Sequence, residues 1–179
     1  MKVLFILILF SFLGGCNKKA DFNSDYPFMK DVDHVYEKID YDKAKQIFTE
    51  GTGVVILAFN SNKKVCPFCI EVLPILNEVA QDLDYQKIYY LDIYDMRKDN
   101  TKEYQALLNL ISNQVDDLVI RDDKLTLVVP DVYMIKNGVI VGHHIATLKD
   151  ENNQYLYELN DNKVNELKEI YRNLFSLLT

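Results

Sequence analysis

The sequence is short of metal ligands. Among its three cysteines and three histidines there is one close cysteine pair, Cys66 and Cys69, while His34 and the adjacent His143 and His144 supply no matching set. Zinc in a structural site wants four ligands, so a half-site at Cys66 and Cys69 has nothing to complete it, and no metal or other cofactor is expected. Basic residues are also few. The 20 lysines and arginines against 27 acids leave a net charge of −7, which makes nucleic acid and anionic lipid poor partners. No apolar run approaches the ~20 residues that a membrane-spanning helix needs. Internal repeats and low-complexity tracts are absent, as is the Cys-x-x-Cys-His of haem attachment.

What is present is the motif Cys66-Pro67-Phe68-Cys69, set between an apolar run at 54–59 and a helix-like segment at 70–82. Two intervening residues let the first thiol sit at a helix mouth with the second one turn in, close enough to attack a mixed disulfide on the first. Unpaired amides and the helix dipole stabilise a thiolate there, and cysteines so placed have pKa values lowered from ~8.5 to roughly 3.5–7.5. Pro67 suits the first helical turn, where its missing N–H is no loss. Redox chemistry is the reading this spacing favours.

At the N-terminus, Met1-Lys2 is followed by an apolar stretch at 3–10 and then by Ser11-Phe12-Leu13-Gly14-Gly15-Cys16, the layout of a secretory signal. Leu13-Gly14-Gly15-Cys16 also resembles a bacterial lipobox, in which the cysteine is lipidated and becomes the new N-terminus. The alternative is an ordinary cleaved signal with an incidental cysteine. Lipid on Cys16 would leave an even pair of thiols in an exported protein, where disulfides form and persist. Two acyl chains suffice for stable anchoring, which places the protein at the extracytoplasmic face of the cell membrane. Loss of 1–15 removes Lys2 and makes the net charge one unit more negative. The domain reading is therefore 1–15 signal peptide, 16–33 polar linker, with order setting in toward Phe28, and 34–179 folded domain.

Hydrophobic patterning within that domain predicts strands at 35–39, 54–60 and 87–93. Helices are expected at 42–50, capped by Asp42, at 70–82 with Pro74 inside, and at 100–114, opened by Asn100 with Glu103 three residues on. Strands at 125–129, 132–136 and 139–145 follow, the last two joined by a tight turn at Lys136-Asn137-Gly138, and Asp161 caps a closing helix to Leu178. This order gives an α/β fold around a mixed sheet.

These residues resemble the thioredoxin family over nearly the whole domain. Cys66-Pro67-Phe68-Cys69 follows a buried strand; the segment from Cys69 through Pro74 to Glu78-Val79-Ala80 is similar to the family's active-site helix; Val129-Pro130, followed by Tyr133-Met134-Ile135-Lys136-Asn137-Gly138, looks like the cis-proline strand and its hairpin. A narrower resemblance is to membrane-tethered thioredoxin-like proteins of low-GC Gram-positive bacteria, including bacteriocin-accessory disulfide proteins. The family implies a thioredoxin-like central mixed sheet flanked by helices, with an insertion over 95–126 before the cis-proline strand. It implies Cys66 as nucleophile, Cys69 as resolving thiol, and a cis Pro130 against the pair, leaving Val129 backbone groups to bind an extended peptide. Pro67 and Phe68 would flank that peptide. The alternative for Pro130 is a trans proline at a strand edge.

Departures from the family matter. Val65 stands where many thioredoxins carry tryptophan, and Ala58 aligns where a buried acid commonly takes the proton of the second cysteine. Asp92 on the neighbouring strand is the candidate substitute, its alternative being a strand-end carboxylate facing water. The 95–126 stretch forms either a rim over the cysteines or a solvated loop with Asp116-Asp117 and Asp122-Asp123. His143 and His144 alternate faces on their strand, so at most one should point inward. The expectation for function is a membrane-tethered, extracytoplasmic thiol–disulfide oxidoreductase acting on exported protein or peptide thiols and disulfides, served by a membrane redox partner. The alternatives are a dedicated accessory factor for a secreted disulfide-containing peptide and a non-redox peptide-binding module.

Overall fold

The computed structural model describes residues 18–61 and 64–179. Its centre is β2 (Gly53–Ala58), in which every residue is buried. Such an uninterrupted apolar run belongs to a strand covered on both faces. On one side β2 pairs in parallel with β5 (Ile88–Asp92), which pairs in parallel with β1 (Tyr36–Lys38); on the other it pairs antiparallel with β8 (Asp131–Lys136), itself antiparallel to β9 (Val139–Ile145). The sheet order is β1-β5-β2-β8-β9, a mixed sheet flanked by helices, and it matches the thioredoxin-like α/β architecture expected.

Register assigns the two faces. Val55, Tyr89, Tyr133 and His143 are mutual partners across the strands, and Tyr133 meets Phe48 of α2 (Tyr41–Glu50) edge-on at 5.4 Å. The other face carries Tyr36, Tyr90 and His144; there Tyr36 donates its hydroxyl to the Leu73 carbonyl of α3 (Pro67–Asp82) at 2.7 Å, and His144 lies 5.7 Å from the Tyr171 ring of α6 (Asp161–Ser176). Because both faces are covered, His143 and His144 are both drawn in. The expectation that at most one points inward is corrected.

Helix starts differ by one or two residues from those expected. Asp40, not Asp42, caps α2, accepting from the Lys43 N–H at 2.8 Å. Thr101, not Asn100, caps α5 (Lys102–Ser112), and Asn160, not Asp161, caps α6. Each true cap sits in extended backbone, with ψ of 175°, 166° and 169°, the geometry that aims its oxygen at the first-turn amides. Asn100 instead takes a left-handed φ of 49°. The β8–β9 turn is as read: Asn137 and Gly138 have φ of 54° and 75°, the two positive values of a type I′ hairpin turn.

Two regions depart further. The strand expected at 125–129 is only β7 (Lys124–Thr126), paired with β6 (Val119–Arg121) in an outlying hairpin. Pro130, which offers no N–H to a ladder, separates it from β8. The second is the expected linker. Lys18–Asp25 is a helix, α1, and Pro27–Met29 a 3-10 turn. Phe22, Tyr26 and Met29 are buried in the core; Phe22 stacks on Tyr36 at 4.5 Å and meets Tyr90 edge-on at 5.4 Å. His34 holds Asn23 at 2.8 Å and Lys38 holds Asp25 at 2.6 Å. From residue 18 onward the segment belongs to the domain. The three anchors do not share one helix, since α1 ends at Asp25 and Tyr26 leaves helical backbone (φ −127°, ψ 78°), so a single 3.6-residue stripe did not mark them in the sequence. Cys16 and the signal segment lie outside the described residues.

Candidate active site

Cys66 ends the short hairpin of β3 (Asn60–Ser61) and β4 (Lys64–Val65) and is itself the N-cap of α3, with Pro67 in the first turn. The Cys69 N–H donates to Cys66 Sγ at 3.3 Å, as a capping side chain requires. Both cysteines are free and buried, Cys66 4% and Cys69 0% exposed. The Val129–Pro130 peptide is cis, and the Val129 carbonyl accepts from the Cys66 thiol at 3.8 Å. The sequence reading of Cys66, Cys69, Val129 and Pro130 as one cluster is therefore what the fold assembles. Pro67 is exposed and Phe68 half-buried at its edge.

The two thiols are electrostatically opposite. A hydrogen bond from the Cys69 side chain lowers the Cys66 pKa; burial opposes this, while the Cys69 and Phe68 amides and the Arg97 cation add to the lowering. Burial pushes Cys69 well above the ordinary thiol value, and the neighbouring Cys66 adds to it. One sulfur is prepared to be a thiolate and the other to keep its proton.

Arg97 is a charged neighbour of the site that sequence reasoning did not single out. It lies on α4 (Tyr94–Lys98), stacks over the Phe59 ring at 4.4 Å and donates to the Leu127 carbonyl at 3.0 Å, joining the segment after β2 to the approach to the cis-proline. Nothing in its local sequence marks it, since the fold alone brings α4 to Cys66. The 95–126 stretch divides: α4 is tied by Arg97 to Phe59 and the Leu127 carbonyl beside the site, whereas the β6–β7 hairpin is solvated, with Asp122 and Asp123 at its turn (φ 49° and 60°). The segment 146–160 adds an aromatic flank, with Tyr157 stacked on Phe68 at 4.7 Å and Tyr155 at 6.0 Å.

Asp92 ends β5. Its Oδ1 accepts from the Tyr94 N–H at 2.9 Å, at the start of α4; burial raises the Tyr90 phenol, and the Asp92 charge adds to it. Asp92 is half-buried; a fully buried acid, Asp131, directly follows Pro130. It is bonded to Tyr133 and, at 3.0 Å, to His143 Nδ1, whose Nε2 meets Asp117 at 2.8 Å. Burial works against charge on His143, but Asp131 and Asp117 outweigh it and raise its pKa. His144, buried without a partner for Nε2 among the described residues, falls to about 4 and is neutral.

No family model matches the chain, and no curated protein matches it. Among solved structures, oxidised thioredoxin O2 from Arabidopsis thaliana is similar, with 15% identity and a TM-score of 0.43 over 79% of this chain and 96% of that one. What the site can do follows from its own geometry.

Proposed function

We propose that the protein is a thiol–disulfide oxidoreductase. The observation that carries this is the split between two adjacent thiols: Cys66, capped by helix amides and lowered in pKa, beside Cys69, buried and raised. The Cys66 thiolate attacks a substrate disulfide, forming one S–S bond as the substrate's own breaks and leaves as a thiol. Cys69 then gives up its proton and attacks Cys66 Sγ, so that the second substrate sulfur departs with the electron pair and the enzyme holds the Cys66–Cys69 disulfide. In the opposite direction the same steps oxidise a dithiol. The Val129 carbonyl, already at Cys66, is the place where an extended client peptide would pair, and Pro67 and Phe68 border it.

The cellular setting extends the same proposal. The lipobox-like Leu13-Gly14-Gly15-Cys16 supports lipidation at Cys16 and an extracytoplasmic, membrane-anchored domain acting on exported proteins. Among the described residues no helix is long and apolar enough to cross a membrane. The resemblance to bacteriocin-accessory disulfide proteins supports a secreted peptide as one such client.

The test is thiol alkylation of the full chain in detergent, equilibrated against glutathione and dithiothreitol and mapped by peptide mass. A reversible Cys66–Cys69 transition between about −270 and about −120 mV is expected, with Cys66 alkylated well below pH 8.5 and Cys69 resistant until far higher pH. No reversible transition, or a Cys66→Ser variant that retains function, would sink the catalytic reading and leave a peptide-binding module.

A further inference from the structure

Val129 as the pairing edge for a client leaves open what that client carries. Leu127 stands two residues before it, at most ~7 Å of chain away, and has both backbone groups held. Its carbonyl accepts from the Arg97 guanidinium at 3.0 Å, and its N–H donates to the Tyr104 hydroxyl at 3.2 Å. Arg97 comes from α4 and Tyr104 from α5, so two helices of the 95–126 stretch meet the segment that leads into the cis-proline.

The same two side chains line a cavity of about 900 Å³ walled by α4, α5 and the β6–β7 hairpin, within the size range of ordinary ligand sites. Arg121 and Lys124, cross-strand partners beside the hairpin turn, line it too. In a chain of net charge −7, three cations around one cavity are a local inversion. Among the described residues none of the three has an acidic partner; Asp122 and Asp123 also line the cavity but pair with none of them. Arg97 is half-buried, with one face on the Phe59 ring at 4.4 Å. Its bond to Leu127 commits one N–H and leaves the rest of the fork free. Burial lowers its pKa, and the Arg121 charge adds to that. Tyr104 is 4% exposed, and among the described residues no acceptor takes its hydroxyl proton. Like charges gathered without an acid repel one another, and a guanidinium with free donors fits a carboxylate two bonds at a time.

We propose that this cavity is a second foothold for the client, taking the carboxylate of an aspartate or glutamate that lies two or three residues from the client's reacting cysteine. The client class is then a disulfide-bearing peptide with an acidic flank. Chain geometry sets the spacing. Cys66 meets the Val129 carbonyl at 3.8 Å, and an extended client laid along 129 to 127 advances ~3.3 Å per residue. Its second or third residue from the sulfur therefore stands beside Leu127, where Arg97 and the Tyr104 hydroxyl converge. Arg121 and Lys124 supply the remaining positive charge from the hairpin wall. The outlying β6–β7 hairpin thereby acquires a purpose, since it closes the cavity and carries two of its three cations. The chemistry at Cys66 is unchanged; the cavity adds binding.

This inference rests on the oxidoreductase reading, and the experiment separates the two. Synthetic peptides carry one cysteine as its 2-thiopyridyl disulfide, with glutamate, glutamine or lysine placed either three or eight residues away. Each is mixed with the reduced full chain in detergent, and thiopyridone release reports attack by Cys66. With glutamate at the third residue, attack at low peptide concentration should be roughly tenfold faster than with glutamine there, the lower end of what a charge-assisted hydrogen bond contributes. The rate at saturation should be the same for both, and lysine should be slower than either at low concentration. At the eighth residue glutamate and glutamine should be equal. Arg121 is exposed, so Arg121→Glu tests the charge without disturbing the core and should reverse the order of the glutamate and lysine peptides. Arg97→Gln should bring the glutamate-to-glutamine ratio toward one; a ratio taken within one variant cancels any change in Cys66 reactivity. Equal rates for glutamate and glutamine at both positions overturn the inference. So does a preference that ignores position, which marks steering by net charge alone, or one that survives both Arg121→Glu and Arg97→Gln. Absence of thiopyridone release from every peptide overturns the oxidoreductase reading itself.

Discussion

Cys66 and Cys69 are three positions apart in one helix turn, yet one belongs to the helix mouth and the other to the core. That contrast was legible in the sequence because it depends on four consecutive residues and the helix they open. The placement of Arg97 and Tyr26 was not, since each comes to the core from chain segments far from the motif in sequence. His143 belongs with them. As a residue on an alternating strand it looked idle, but the fold sets Asp131, fully buried, against its ring. Removing one partner of a buried ion pair strands the other, so His143→Ala should lower stability by about 3–5 kcal/mol, read as a shifted urea midpoint at unchanged slope. The raised His143 pKa gives the sign with pH. The contribution of His143 is complete below its unfolded value, ~6.5, and fades as pH rises through the folded one; Asp131, raised by its burial, works against the charged pair toward acid pH. A His143→Ala protein whose stability matches the parent at pH 5.5 would contradict this.

Among the elements, those with strong periodicity or an unbroken apolar run, β2, α3, β8, β9 and α6, stand close to where the pattern predicts them, because burial on a covered face leaves few alternatives. Helix starts slipped by a residue or two. Adjacent Asp, Asn and Thr can all cap, and backbone conformation rather than composition selects among them. The N-terminal segment is the larger lesson: α1 reads as polar although it buries Phe22, and the other two anchors, Tyr26 and Met29, lie beyond its end. Phe22→Ala removes a ring buried against Tyr36 and Tyr90 and should cost about 3–5 kcal/mol. In a free spacer the same change would stay within about 0.5 kcal/mol, so one denaturation curve distinguishes them. Gly138 offers a second check on an element joint. Its φ is 75°, and a Cβ there would lie 2.1 Å from the Thr49 carbonyl oxygen, so Gly138→Ala should destabilise by roughly 2 kcal/mol or more, left-handed strain alone accounting for ~1–2, as measured by thermal melting.

For the molecule as a whole, the opposed thiols make the stability of the reduced form depend on pH in two directions. Cys66, lowered in the fold, adds stability that is lost as pH falls through its folded pKa and is fully present above the unfolded thiol value of ~8.5. Cys69, raised in the fold, contributes stability that is complete below that unfolded value and lost above it. The cysteines' share of the reduced protein's stability should therefore rise up to about pH 8.5 and then fall, a profile obtained from urea midpoints at successive pH with the oxidised protein, which lacks both thiols, as the reference. Cys66→Ser should flatten the rise and spare the fall; a rise that survives Cys66→Ser would refute the assignment. The packing of α1 also governs how far the molecule can travel. With lipid on Cys16 as proposed, two peptide steps, at most ~7.6 Å, connect the anchor to Lys18, so the domain rides on a leash with almost no slack and sweeps only clients that pass along the bilayer surface. Were the stretch 18–33 to peel away, the leash would lengthen by ~50 Å, and the same event would uncover the Tyr36 and Tyr90 rings against which Phe22 packs: reach and a closed core cannot both be had at once.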